Sequence, residues 1–206
     1  MRTARTAVGV ALLGLLVLPL RADEPLEAAR SLFLNLASRL FVDELDVAGP
    51  PAGVEAPWAA KIAWRQAGGR PEWGNVTLGF RADAATGYSF DLLVESATPG
   101  SGLNVYLTEA DADRWVEAFA LADRVGQGWA HIDLQGDALR LWQFGNGVRE
   151  PATVGGLTLE PYGKDGALVV WVANLAIHTP AGLRDALSLM ADSDCPPPTA
   201  VGPVTR

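Results

Sequence analysis

What this chain lacks narrows its chemistry first. Cys195 is the only cysteine in 206 residues, so an intrachain disulfide is impossible and stability must come from a core. His131 and His178 are the only histidines, and no His-Glu-x-x-His helix or Gly-x-Ser-x-Gly elbow accompanies them. The familiar metalloprotease and serine-hydrolase signatures are therefore missing. Positive charge is scarce: 16 Lys and Arg stand against 24 Asp and Glu, a net charge of −8. Phosphate contacts need clustered Lys and Arg, so nucleic acid and anionic lipid are poor partners. Gly126-Gln127-Gly128 is too short for a nucleotide loop.

Long hydrophobic runs are also missing. Ala7 to Leu20 is uncharged and apolar, but it falls short of the ~20 residues that span a bilayer. Arg2 and Arg5 precede it and Leu20-Arg21-Ala22 follows, the pattern of a secretory signal peptide over residues 1–22. The mature chain would start near Asp23 and be secreted or periplasmic, with no stable membrane insertion after cleavage. Asn75-Val76-Thr77 fits the glycosylation pattern, which matters only in a host that glycosylates exported proteins.

What is present is a β pattern. Hydrophobic residues make up 49% of the chain and charged residues 19%, enough for one domain with a proper core. Ala167 to His178 is Val-rich and bounded by Gly166 and Pro180, which reads as a buried strand. Val76, Leu78 and Phe80, then Phe90, Leu92 and Val94, then Leu103, Val105 and Leu107 each occupy alternate positions. Ile132, Leu134, Leu139 and Leu141 continue the period of two, which buries one face of each strand. Leu103 to Thr108 and Arg114 to Leu121 flank an acidic turn, as in a hairpin. Glu24 to Arg39 has apolar residues at helical spacing, and so does Ala181 to Met190. Phe41 to Val47 reads as an edge strand with three carboxylates. The expected fold is an all-β antiparallel sandwich over residues 41–180, with a helical lead-in at 23–40. A short helix and a Pro-rich tail holding an exposed Cys195 thiol follow at 181–206.

Residues 40–179 resemble the galactose-binding-like jelly-roll domains found in carbohydrate-binding modules and in accessory domains of glycoside hydrolases. The features that carry the resemblance are the acidic strand Phe41 to Asp46, the run Gly128-Trp129-Ala130-His131-Ile132-Asp133-Leu134, and the last core strand Trp171-Val172-Ala173-Asn174-Leu175-Ala176-Ile177. The resemblance implies a jelly roll and a glycan ligand. In that family an Asp often stands beside the Asn, sometimes near a structural calcium; here the position is Ala173. Asp43, Glu44, Asp46 and Asn174 could still supply the hard oxygens that calcium prefers. No other cofactor is implied.

An acidic exported sandwich with seven Trp suits a neutral carbohydrate or cell-surface glycan, because flat rings stack on sugar C–H groups while polar neighbours bond hydroxyls. If Val105, Ile132 and Leu141 point inward, then Tyr106, Trp129, His131, Arg140 and Trp142 share the opposite phase and could line one sheet face. The competing expectation has Trp129 and Trp171 plugging the sandwich, and Trp171 reads as core. Glu109, Asp111 and Asp113 read as a solvated hairpin turn, since the Gly and later Glu of a calcium-binding hand are missing. Two other functions fit the same pattern: a structural or adhesion domain that contacts protein or self-associates, and a small glycoside hydrolase.

Overall fold

A computed structural model of the chain describes residues 24–40, 42–65, 74–163 and 166–191. The expected signal peptide over residues 1–22, Phe41, Trp73 and Cys195 lie outside the described residues. In chain order the elements are α1 (Glu24–Leu36), β1 (Ala37–Leu40), β2 (Glu44–Ala48), β3 (Ala59–Arg65), β4 (Asn75–Gly79), β5 (Gly87–Ala97), β6 (Gly102–Thr108) and β7 (Arg114–Ala120). They continue with β8 (Ala130–Gln135), β9 (Arg140–Trp142), β10 (Gly156–Tyr162), β11 (Ala167–Thr179), β12 (Gly182–Asp185) and α2 (Ala186–Ala191). The strands form two antiparallel sheets. Sheet A has the order β1-β4-β10-β6-β7-β9; sheet B has the order β2-β3-β11-β5-β8, with β12 added to β11. This is the all-β sandwich that the alternation predicts.

The period of two decides what meets between the sheets. From sheet A come Val76, Leu78, Leu103, Val105, Leu107, Leu157 and Leu159; from sheet B come Ile62, Trp64, Phe90, Leu92, Leu168, Val170 and Val172, all buried. The two sheets are also joined by a hydrogen bond through this core, from the Tyr88 hydroxyl on β5 to the Val105 carbonyl on β6, at 2.9 Å. Burial, with the negative charge of Glu117 nearby, pushes the Tyr88 hydroxyl pKa well up, so it stays a neutral donor.

β11 sits in the middle of sheet B, antiparallel to β3 on one side and β5 on the other. Its inward residues change phase: Leu168, Val170 and Val172, then Leu175 and Ile177. The pairing with β5 slips between Ala173 and Ala176, and Asn174 there has φ 50°. One extra residue in a left-handed conformation is a β-bulge, and it keeps the apolar set inward where strict alternation would turn Leu175 out. Asn tolerates that conformation better than most side chains.

Three expectations need correction. Trp171 is not core: it faces out of sheet B, in phase with Lys61 and Leu93 across the ladder, because its neighbours Val170 and Val172 take the inward positions. α1 stops at Leu36, since residues 37–40 pair with β4 as an edge strand. The helix expected over 181–190 begins only at Ala186, because Gly182–Asp185 folds back on β11.

Asn174→Gly is expected to keep stability within about 0.5 kcal/mol of wild type, whereas Asn174→Val loses about 1–2 kcal/mol more through left-handed strain. Urea unfolding measures both. Equal losses in the two variants would remove the bulge from the account.

Candidate functional site

The outer face of sheet A is built by register. Tyr106 on β6 lies opposite Thr158 on β10 and Val116 on β7. Thr158 in turn lies opposite Thr77 on β4, while Arg114 and Val116 lie opposite Trp142 and Arg140 on β9. Residues opposite one another share a face, so Asn75, Thr77, Thr158, Glu160, Asn104, Tyr106, Arg114, Arg140 and Trp142 all point outward. The middle of this face is nevertheless recessed. Thr77, Asn104 and Thr158 are buried, and Tyr106 is only 3% exposed.

Its polar groups are partly satisfied among themselves. The hydroxyls of Thr77 and Thr158 bond at 2.9 Å, and the Tyr106 hydroxyl donates to Glu160 Oε2 at 2.9 Å. Burial, with Glu160 alongside, drives the Tyr106 pKa up, so the phenol remains protonated. Asn75 Oδ1 and Arg114 Nε have no hydrogen-bond partner.

At one end of this floor stands an aromatic and guanidinium cluster. The Arg114 guanidinium carbon lies 4.7 Å from the Tyr106 ring centroid and 4.8 Å from that of Phe144. Tyr106 and Trp142 rings are 6.4 Å apart, and Arg140 lies over the Trp142 ring at 5.6 Å. Trp142 is half-buried and Phe144 is 51% exposed. Tyr106 is thus a floor residue without a ring face to offer; the accessible aromatics are Trp142 and Phe144.

The one-face expectation needs a further correction. Tyr106, Arg140 and Trp142 belong to sheet A, whereas His131 lies on β8 in sheet B and Trp129 immediately precedes it. Alternation separates inside from outside but does not say which sheet a strand joins. On sheet B, His131 Nδ1 is 2.8 Å from Asp91 Oδ1, and Asn174 Nδ2 donates to Asp91 Oδ2 at 2.7 Å. His178 Nε2 meets Asp133 Oδ1 at 2.5 Å. Lys61 lies between Glu44 and Glu95 and over the Trp171 ring, whose indole donates to Glu95 at 2.7 Å. This outer face spends its charges on itself. Trp129 sits at the sandwich end against a cavity of about 140 Å³ that also touches Leu92, Val94 and Arg124.

The residues expected to hold calcium do not fit such an ion. Asp46 on β2 faces Lys61 on β3, which faces Trp171 on β11; Asn174 is therefore two strands and three residues away, roughly 14 Å at standard sheet spacings. Asp46 gives its carboxylate to Arg30 at 2.8 Å, which holds its pKa below the ordinary value. The Asn174 amide nitrogen donates to Glu55 O and to Asp91.

Nor is the acidic turn solvated. Asp113 is fully buried and Glu109 is 3% exposed. Asp113 Oδ1 accepts the backbone N–H of Phe144 at 2.6 Å and of Gly145 at 2.5 Å, and Oδ2 accepts that of Gly147 at 2.6 Å. These donors hold the Asp113 pKa below its ordinary value. Asp111 Oδ2 accepts the Asn146 N–H at 2.8 Å, and a Cβ at Gly145 would collide with that carboxylate. The turn is an anchor for the loop that presents Phe144.

Sequence reasoning missed Arg114 and Phe144. The hairpin register across residues 109–113 puts Arg114 beside Thr108 on the outer face, so Arg114 was within reach. Phe144 sits in an irregular loop where no periodicity applies.

A scan against protein-family models finds no match, and a search of curated proteins finds none. Solved structures do match. An exo-β-agarase aligns with a TM-score of 0.51 and 13% identity over 73% of this chain and 24% of the agarase; the chain thus spans about a quarter of that enzyme. The family 11 carbohydrate-binding module of the cellulosomal cellulase Lic26A-Cel5E of Clostridium thermocellum aligns at 0.48 with 10% identity, over 68% of this chain and 81% of the module. A family 29 carbohydrate-binding module aligns at 0.43 with 11% identity, over 69% and 79%. The likeness to the agarase is a matter of fold alone, and the class it defines is that of the two packed sheets: the chain is an antiparallel β-sandwich.

Asp113→Asn tests the anchor. A carboxylate whose folded pKa is lowered adds stability that is present above its ordinary pKa and is lost as pH falls through the folded value. The variant should melt several degrees below wild type at pH 7, and the gap should narrow below about pH 4. A gap that is absent, or constant with pH, contradicts this role.

Proposed function

We propose that the exported mature chain is a non-catalytic module that binds a neutral glycan across the outer face of sheet A. The observation that carries this reading is the recessed polar floor ending at two accessible aromatics. Thr77, Thr158, Asn104, Asn75 and Glu160 offer hydroxyl, amide and carboxylate groups of the kind that bond sugar hydroxyls. Trp142 and Phe144 offer ring surface for sugar C–H groups, as aromatics do in mixed polar and apolar sites. Arg114 and Arg140 stand beside them as fork-shaped donors.

The outer face of sheet B supports this choice by contrast. Its Trp171, Lys61, Glu95, Asp91 and His131 are already engaged with one another, so a sugar there would have to replace existing bonds.

Affinity electrophoresis through gels containing neutral β-glucans or galactans tests the reading. Retardation should be seen with wild type and should weaken about tenfold in Trp142→Ala or Phe144→Ala, while Trp171→Ala keeps wild-type affinity. Loss of binding confined to Trp171→Ala would move the site to the other sheet. Release of reducing sugar by the pure chain would overturn the non-catalytic part.

A further inference from the structure

Around the β6–β7 turn, Glu109 has a role that the loop anchor does not explain. Its Oε1 accepts the Trp115 indole N–H at 2.6 Å and the Glu150 backbone N–H at 2.6 Å. Its Oε2 is buried with no hydrogen-bond partner. A buried carboxylate oxygen in that state is costly unless something positive meets it. The surroundings are instead negative. One carboxylate oxygen from each of Glu109, Asp111 and Glu150 lies within 4.8 Å of the other two. Asp113, the remaining acidic group of the turn, is committed to the N–H groups of Phe144, Gly145 and Gly147. Arg149, beside Glu150 in sequence, donates to the carbonyls of Gly136 and Leu139 and to Asp137, and lies over Trp115.

Two independent facts thus meet at one point: three carboxylates drawn together from two separate chain segments, and an orphaned oxygen buried in the same group. Three carboxylates with no nitrogen or sulfur donor suit a hard divalent cation. Ca²⁺ accepts six to eight oxygens in a flexible arrangement, whereas Mg²⁺ demands a near-ideal octahedron and keeps several of its waters.

We propose that Glu109, Asp111 and Glu150 bind a calcium ion that clamps the β6–β7 turn to the chain at Glu150. The ion would tie Glu150, at the end of the Phe144 loop, to the turn that already holds the start of that loop through Asp113. The site shares no residue with the acidic strand β2 and does not depend on the glycan reading.

The test uses the full mature chain, freed of metal with chelator. Thermal unfolding with and without millimolar Ca²⁺ should show a rise of several degrees, and titration calorimetry should give one ion per chain with Mg²⁺ weaker. Tb³⁺ in place of Ca²⁺ should show emission sensitised through the adjacent Trp115 indole and displaced by Ca²⁺. Asp111→Asn and Glu150→Gln remove ligands from the turn and loop, and each should weaken binding at least about tenfold; Glu44→Gln, on β2, should leave it unchanged. No thermal shift and no sensitised emission at millimolar ion would overturn the proposal. So would wild-type binding in the Asp111→Asn/Glu150→Gln double variant, or loss of binding in Glu44→Gln alone.

Discussion

The structure depends on β11 keeping its apolar residues inward along its whole length. A strand of 13 residues between two neighbours commits the register of sheet B, and a slip of one place would turn Leu168, Val170 and Val172 to water. The bulge at Asn174 lets the second half of the strand follow a different phase and still bury Leu175 and Ile177. That one conformational concession lets β5 pair with β11 on both sides of the bulge, so that Tyr88 and Phe90 as well as Leu92 and Val94 face the core.

The consequence for function is a division of labour between the outer faces. Sheet B's face is a closed set of pairs, His131 with Asp91, His178 with Asp133 and Lys61 with Glu44 and Glu95. Exposed pairs of this sort add little stability, yet they leave few polar groups free for a ligand. Sheet A's face differs, with a floor of mostly neutral polar side chains, partly bonded among themselves, and aromatics held at its edge. That edge is fixed from beneath. Asp113, buried under residues 144–147, accepts three of that loop's backbone N–H groups and so fixes the loop that displays Phe144. Acidic residues that look like solvated decoration in the sequence thereby position the proposed binding face.

Much of the fold was legible because alternation is a local signal. Phe90, Leu92 and Val94 announce an inward face, and the 103–121 hairpin follows from two such runs around a turn. Even the bulge is written in β11, where the apolar residues pass from Leu168, Val170 and Val172 to Leu175 and Ile177. What could not be read locally was partnership. Tyr106 and His131 share the outward phase, but β6 joins sheet A and β8 joins sheet B, a choice made by long-range packing. The same limit hid the burial of Glu109 and Asp113, because the backbone N–H groups that they accept from lie more than thirty residues away along the chain. It also let Asp43, Glu44, Asp46 and Asn174 look like one ligand set when β3 stands between them.

The central claim is that a neutral glycan lies on the outer face of sheet A, and amide and indole chemical shifts of the isotope-labelled chain test it most directly. During titration with a neutral oligosaccharide, the account predicts shifts at the Trp142 indole, the Asn75 and Asn104 side-chain amides, Thr158 and Phe144, with the Trp171 indole unmoved. Shifts confined to Trp171, Lys61 and His131, or none at any residue with saturating sugar, would contradict it.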